Sequence, residues 1–307
     1  MSPPTSWSAR WIRGCAVSSV AEPARPRHAG LAALGRVLAE PMGLFGLALV
    51  VLVIVSAVFA DQLAAYNPTR MMPRDRFADP GWTHLMGTDH LGRDLFARVL
   101  HGGRIALWVA LVATSISLAL GAVLGLIAGY GPRWLDNLLI LIFDAVKSFP
   151  TVMLALTLVT LFGPSLTAVM VVVVLVATPS YARVIRTQTM ALKTSEFILA
   201  ARAMGAGMGR ILRVHVLPNV IGPVLILASM DIPVVIAIEA GMSFLGLGVR
   251  PPTPSWGAIL NDGFTNIRET PWIAVAGGLP VILTTLGFTF LGETLRDVFD
   301  PRLRREG

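Results

Sequence analysis

The chain is poor in charge. Only 14% of its 307 residues are Asp, Glu, Lys or Arg, against roughly 25% in a soluble domain. Hydrophobic residues make up 54%, and the mean hydropathy is +0.70. That balance excludes an ordinary soluble domain and indicates an integral membrane protein. Cysteine is nearly missing: Cys15 stands alone, so no disulfide can form within the chain. Lysine is confined to Lys147, which follows Val146, and Lys193, which follows Leu192. No Gly-Lys-Ser/Thr phosphate-binding loop exists, and ATP is not expected to bind by that route. His-Glu-x-x-His, Gly-x-Ser-x-Gly and Cys-x-x-Cys are also missing. The expected catalytic set is empty. So is the expected metal set, because His84, His90 and His101 form no tight ligand cluster in the sequence.

The charge that is present is mostly arginine, with a formal net charge of +7. In a membrane protein this reads as cytoplasmic loops beside anionic lipid. Nucleic-acid binding is disfavoured, because no soluble basic domain is present. Residues 1–41 are rich in Pro, Ser, Ala and Arg and read as a partly disordered cytoplasmic tail. Apolar runs follow at about 42–60, 105–130, 138–162, 166–186, 220–245 and 272–292, close to the ~20 residues that cross a bilayer. The region before the first run is far longer than a signal-peptide n-region, which makes that run an uncleaved anchor. Six spans put both termini on one side, and arginines near each end put that side in the cytoplasm.

Several features fall inside these runs. Gly121, Gly125 and Gly129 lie four apart and form a stripe that lets another helix approach closely. Asp144 and Lys147 are one turn apart and can neutralise each other, either as anchors at the membrane edge or as lining of a pathway. Asp231 sits beside Pro233, where a broken helix would have backbone groups to satisfy. Glu239 is an acid within a span, suited equally to structural hydrogen bonding and to a pathway. Coupling of transport to ions through Asp231 and Glu239 is the reading of a different class, although the internal repeats common in such transporters are missing.

Residues 195–219, SEFILAARAMGAGMGRILRVHVLPN, are basic and amphipathic. Ala200, Met204 and Met208 fall four apart, with Ala201 and Gly205 beside them, so a helix here would present a small-residue face. Thr194 or Ser195 can cap its start, Glu196 favours the dipole, and Pro218 is expected to stop any helix that follows.

Ala200-Ala201, Gly205 and Leu217-Pro218 resemble the EAA loop of ABC importer permeases at matching spacing. Leu199 stands where Glu is usual and His215 where Ile is usual; the peptide branch often carries its acid at the position of Glu196. Two further stretches are similar to signatures of the C-type permeases of dipeptide, oligopeptide and nickel importers. Residues 87–104, GTDHLGRDLFARVLHGGR, match GTDxLGRDxxxRxxxGxR, and residues 242–257 match LSFLGLGxxPPxPSWG. The tail LRDVFDPRLR is again like that of the family.

The resemblance covers residues 42–307. It implies an all-α integral membrane protein with six transmembrane helices, the type I ABC importer permease fold and a cytoplasmic coupling helix in a loop at about 193–219. It implies docking of an ATPase on Glu196, Ala200, Ala201, Gly205, Leu217 and Pro218. The implied partners are a homologous B-type permease, two ATP-binding subunits, an extracytoplasmic substrate-binding protein and membrane lipid. ATP-Mg would be held by the partners and no cofactor by this chain. The implied location is a bacterial or archaeal inner membrane, and the implied substrates are short peptides, with nickel or another small solute as the alternative.

Overall fold

The computed structural model describes residue 35 and residues 38–299. The expected N-terminal tail, but for residues 35 and 38–41, and the tail after 299 lie outside the described residues. Long helices dominate, as the apolar runs require. Helix α1 spans Pro41–Val58, with proline in the first turn, where its missing N–H costs nothing. A polar segment then leads to α2, Leu95–Tyr130, whose start is capped by the Asp94 side chain accepting from the Ala97 N–H at 2.8 Å. Helices α3, Arg133–Ser148, and α4, Thr151–Phe162, precede α5, Leu166–Lys193. The short α6 is Glu196–Ala203, and α7 runs over Met208–Phe244. Helices α8, Trp256–Thr265, and α9, Trp272–Phe299, complete the described chain.

Five of these helices are long and apolar enough to cross a membrane: α1, α2, α5, α7 and α9. The stretch expected as one span at 138–162 is instead the pair α3 and α4, bent by 90°. Phe149, just before Pro150, takes the extended backbone that a following proline favours, with ψ at 130°, and the helix ends and restarts there. Counted as one broken span, the pair brings the total to six. The expectation of a break at Pro233 is corrected in the opposite sense, because α7 passes through Pro223 and Pro233 without interruption. Pro218 likewise stops nothing. A π-helical stretch, Ile211–Val216, widens the turn just before it, which makes room for a ring that would collide with an ordinary helical carbonyl. The Asn219 side chain donates to the His215 carbonyl at 2.6 Å within this wide turn.

The glycine stripe of α2 lies against α5, the most extensive helix pair among the described residues. A Cβ on Gly121 would sit 2.6 Å from the Tyr181 Cβ, on Gly125 2.6 Å from the Ala182 carbonyl oxygen, and on Gly129 2.7 Å from the Thr189 Cβ. No side chain larger than hydrogen fits at this separation. The main core joins Val109, Ala110 and Ala113 of α2 to Val169 and Val172 of α5, Ile236 of α7 and Trp256 of α8. A second core gathers Tyr181 and Ile185 of α5, Ile198 of α6, and Ile211, Val216, Val220 and Val224 of α7. Helix α6 is thus plugged into the bundle by Ile198. Elsewhere the long helices expose apolar side chains such as Leu111, Val123, Leu141, Met153 and Phe162, as a lipid-facing or subunit-facing surface does.

Candidate functional site: an exposed loop and a buried clamp

One end of the bundle carries residues 193–219. Helix α6 ends at Ala203 in a Schellman turn: Gly205 N–H donates to the Arg202 carbonyl at 2.9 Å and Ala206 N–H to the Ala201 carbonyl at 3.0 Å. Gly205 closes the turn at φ +82°, a conformation that L side chains rarely adopt. Met208 therefore opens the next helix, and the expected face running Ala200, Met204, Met208 is not a single helical face. Ser195 holds the N-cap position, but its hydroxyl turns back to the Leu192 carbonyl at 2.6 Å and does not cap. Of the residues expected to dock, Glu196, Ala200, Gly205 and Pro218 are exposed, Leu217 is half-buried, and Ala201 faces the bundle. Around them Phe197, Leu199, Met204, Met208 and Val214 are exposed, Met204 at 82%. A Cβ on Gly205, Gly207 or Gly209 would meet nothing within 4 Å. The loop therefore offers an apolar surface that the described residues leave uncovered.

The loop is nevertheless anchored. Tyr130, the last residue of α2, is gripped from two sides. The Lys193 ammonium donates to its carbonyl at 3.0 Å and stands 5.3 Å from the ring centroid. The Arg202 Nε donates to its hydroxyl at 2.9 Å, with the guanidinium 4.9 Å from the centroid. These are cation–π contacts reinforced by hydrogen bonds. Arg186 of α5 makes a two-pronged ion pair with Asp136 of α3 on the same side.

The opposite end, about 54 Å away along the 36 residues of α2, holds the segment similar to GTDxLGRD. Nearly every residue of that motif has a visible mechanical task. Thr88 accepts from the Ala78 N–H at 2.9 Å and bonds the Asp75 carbonyl. Asp89, fully buried, accepts from the N–H groups of Leu91 and Arg93 and pairs with the Arg93 Nε at 2.6 Å. Arg98 approaches the same carboxylate at 3.3 Å. Asp94 caps α2 and holds His84 at 2.9 Å. Arg104 donates to the Ala57 and Val58 carbonyls at the end of α1 and to Asp61. Gly102 lies against the Trp256 indole, whose N–H donates to the Val99 carbonyl at 2.8 Å. The second motif enters through α8: Asp262 meets Arg93 at 3.3 Å and Arg98 at 3.6 Å. Burial pushes the Asp262 carboxyl up from its ordinary range, against the pull of Arg98, His90 and Arg93. Hydrogen bonds from Arg104 and His101 hold Asp61 below the usual carboxylate range.

Asp89, His90 and Asp262 could each offer a metal-ligand atom within 4.8 Å of the others. Both carboxylates, however, are already engaged by Arg93 and Arg98, so the geometry suits an ion-paired clamp better than a cation site. Asp262 is not legible in the sequence because its partner Arg93 lies 169 positions away. Tyr130 escaped it because a terminal aromatic carries no motif of its own.

Along the helices, the exposed Asp144 does not pair with Lys147 as its spacing suggested. Its carboxylate bonds Arg183 of α5 instead. Lys147 lies near Arg183 and Asp231, and Asp231 lies beside Tyr181. Glu239 is fully buried; one carboxylate oxygen accepts from the Ser243 hydroxyl at 2.8 Å and the other has no partner. This places Glu239 in the packed interior of α7.

The family described as binding-protein-dependent transport system inner membrane component matches residues 121–305. A dipeptide transport system permease protein of Alkalihalophilus pseudofirmus is 37% identical over 86% of this chain and 86% of its own. A glutathione transport system permease protein of Pectobacterium atrosepticum is 37% identical, over 87% of this chain and 88% of its own. Among solved structures, an inward-facing MetNI methionine ABC transporter aligns at a TM-score of 0.52 with 21% identity, covering 66% of this chain and 96% of that one.

Proposed function

Because the chain belongs to the family of binding-protein-dependent transport system inner membrane components, we propose that it forms half of the pathway of an ATP-driven importer of short peptides. The observation that carries this reading is the 193–219 loop. It exposes Phe197, Leu199, Met204 and Met208 while Ile198 and Tyr130 fix it to α5, α7 and α2. A surface that is apolar, uncovered and rigidly mounted suits a partner that pushes on it. The partner is an ATP-binding subunit, one of two, and ATP-Mg sits there and not on this chain. A related B-type permease supplies the other half of the pathway, and an extracytoplasmic binding protein delivers the solute at the clamp end. The protein lies in the cell's inner membrane with the loop and both termini in the cytoplasm. ATP binding draws the ATPases together, the loop follows, and the bundle passes between two packings that differ by a few kcal/mol. Peptide is the substrate class because relatives at 37% identity are named for dipeptide and glutathione transport.

Replacement of Gly205 tests this reading. Gly205→Ala and Gly205→Trp impose the same backbone strain at φ +82°, and neither meets an atom of this chain within 4 Å of the new Cβ. The two differ in bulk, carried at an exposed position where a docked partner would sense it. In reconstituted vesicles containing the co-purified subunits, Gly205→Trp should abolish ATP-dependent peptide uptake while Gly205→Ala retains most of it. Equal uptake by the two variants, or uptake without any ATPase, sinks the proposal.

A further inference from the structure

We infer that Trp82 is the anchor by which the outer end of this chain docks a soluble extracytoplasmic binding protein, its indole entering an apolar pocket on an acidic face of that partner. The inference rests on the importer reading and adds to it the surface on which that partner lands.

Trp82 is 100% exposed, while the backbone that carries it is held at several points. It stands in the 79–87 loop, whose two arms are stitched together. The Phe77 N–H donates to the Asp89 carbonyl at 3.2 Å, and the Thr88 N–H donates to the Ala78 carbonyl at 3.0 Å. The arms approach so closely that a Cβ on Gly87 would sit 2.5 Å from the Ala78 carbonyl oxygen. Within the loop the Gly81 N–H donates to the His84 carbonyl at 2.8 Å, which closes a turn with Trp82 and Thr83 at its tip. His84 is the bolt. It is buried, its Nδ1 meets Asp94 at 2.9 Å, and its ring centroid lies 4.9 Å from that of Tyr66. An indole presented by a fixed turn brings a large apolar face to a partner and loses little freedom in doing so, as a binding anchor does.

Its height above the membrane decides against lipid as the occupant. Arg104 of α2 donates to the Ala57 and Val58 carbonyls and so marks the level at which the span α1 ends. Asp94, which caps α2 and holds His84, lies about 15 Å further out along the helix at 1.5 Å per residue. The headgroup layer is only about 5–8 Å deep on each side of a bilayer. The surface around the indole then selects among proteins. Between residues 66 and 86 the exposed large apolar side chains are Met71, Trp82 and Leu85. Arg70, Arg74, Arg76 and Asp79 are exposed in the same segment, and among the described residues none of the four enters an ion pair. Permanent subunit interfaces are apolar over a large area, whereas an aromatic anchor set among charged groups is the anatomy of an interface that forms and separates. A binding protein that lands, unloads and leaves needs such an interface. Three unpaired arginines against one unpaired aspartate give this face a positive balance, which acidic groups on the partner complement.

The test is the affinity of the purified, fluorophore-labelled binding protein for the assembled permease–ATPase complex in lipid nanodiscs, read by fluorescence anisotropy. Trp82→Ala should weaken binding roughly tenfold or more, and Trp82→Phe should weaken it less. An Arg74→Gln/Arg76→Gln double variant should weaken it a few-fold and flatten its dependence on salt. Because the indole is wholly exposed, Trp82→Ala should leave the thermal midpoint and the recovery of the other subunits unchanged. Equal affinity of Trp82→Ala and the unaltered complex overturns the surface. Loss of the second permease from the Trp82→Ala assembly overturns it too, since the indole would then be a subunit contact. So does quenching by brominated lipid of the emission that Trp82→Phe removes, since the indole would then sit in the membrane. ATP-dependent peptide uptake, measured in parallel, separates the two conclusions. Uptake by the unaltered assembly with undiminished binding by Trp82→Ala removes only the role of Trp82, whereas an unaltered assembly that neither binds this protein nor takes up peptide removes the importer reading.

Discussion

Arg93 reaches Asp262 across 169 positions of sequence, Nη2 to Oδ2 at 3.3 Å, and so ties the segment before α2 to the short helix α8. The same carboxylate oxygen takes Arg98 at 3.6 Å, while Asp89 holds both arginines from the other side. Two acids and two cations share one interior, with Arg98 only 3% exposed. Removing one partner of a buried pair leaves its counterpart uncompensated, at about 3–5 kcal/mol. Asp89→Ala should therefore lower the thermal midpoint of the detergent-solubilised protein sharply. Hydrogen exchange should rise across residues 87–104 and in α8 together, because both hang on the same clamp. A loss confined to the 87–104 segment would contradict the coupling.

The clamp also has a pH signature. Burial raises the Asp262 carboxyl above its unfolded value, so the folded protein binds this proton more readily than the unfolded chain does. The contribution of the protonated acid to stability is complete below the unfolded value of about 3.9, and it is lost as pH rises through the folded value. Asp262→Asn cannot ionise and escapes that loss. The difference in thermal midpoint between Asp262→Asn and the unaltered protein should move in favour of the variant from pH 4 to pH 7. A difference that is flat, or that moves the other way, means that the arginines outweigh burial.

Much of this was legible in the sequence where the signal is local or repetitive. The apolar runs gave five of the long helices because a bilayer demands an unbroken apolar stretch, and the stripe at Gly121, Gly125 and Gly129 marks a face because helical period is local. Prolines misled in both directions. Pro150 looks like Pro233 in sequence, yet the helix breaks at one and continues through the other. The outcome depends on whether neighbouring helices satisfy the freed carbonyl, which no local pattern records. The one-turn spacing of Asp144 and Lys147 suggests that they neutralise each other; a guanidinium on a facing helix, Arg183, takes Asp144 instead. Residues 87–104 were recognisable as a motif, but their partner in α8 was not.

Tyr130 is the fixed point of the exposed loop. Tyr130→Phe keeps the ring contacts of Lys193 and Arg202 and loses the 2.9 Å bond from the Arg202 Nε. Tyr130→Leu loses the ring contacts as well, each worth about 0.5–1 kcal/mol at an exposed site. Limited proteolysis within 193–210 should accelerate modestly for the first variant and more for the second. The main core, which does not involve Tyr130, should keep its exchange protection. If ATP-driven uptake depends on a stiff loop, it falls in the same order while co-purification with the ATPases persists. Faster proteolysis with unchanged uptake would show that the grip on Tyr130 is not part of coupling.

The contact of α2 with α5 sets a tight limit on substitution. A methyl on Gly125 would come within 2.6 Å of the Ala182 carbonyl oxygen and 2.8 Å of the Ile185 Cβ. Overpacking of this kind costs about 1–3 kcal/mol, so Gly125→Ala should lower the thermal midpoint measurably. The identity of the obstructing atom makes the prediction sharper. Trimming Ile185 to alanine frees its outer carbons but moves neither its Cβ nor the backbone carbonyl. A Gly125→Ala/Ile185→Ala double variant should therefore be no more stable than Gly125→Ala alone, and it should also carry the cost of a cavity in the second core, where Ile185 is fully buried. Rescue by the second substitution would mean that α2 and α5 slide apart without penalty, and that the stripe is not what sets their distance.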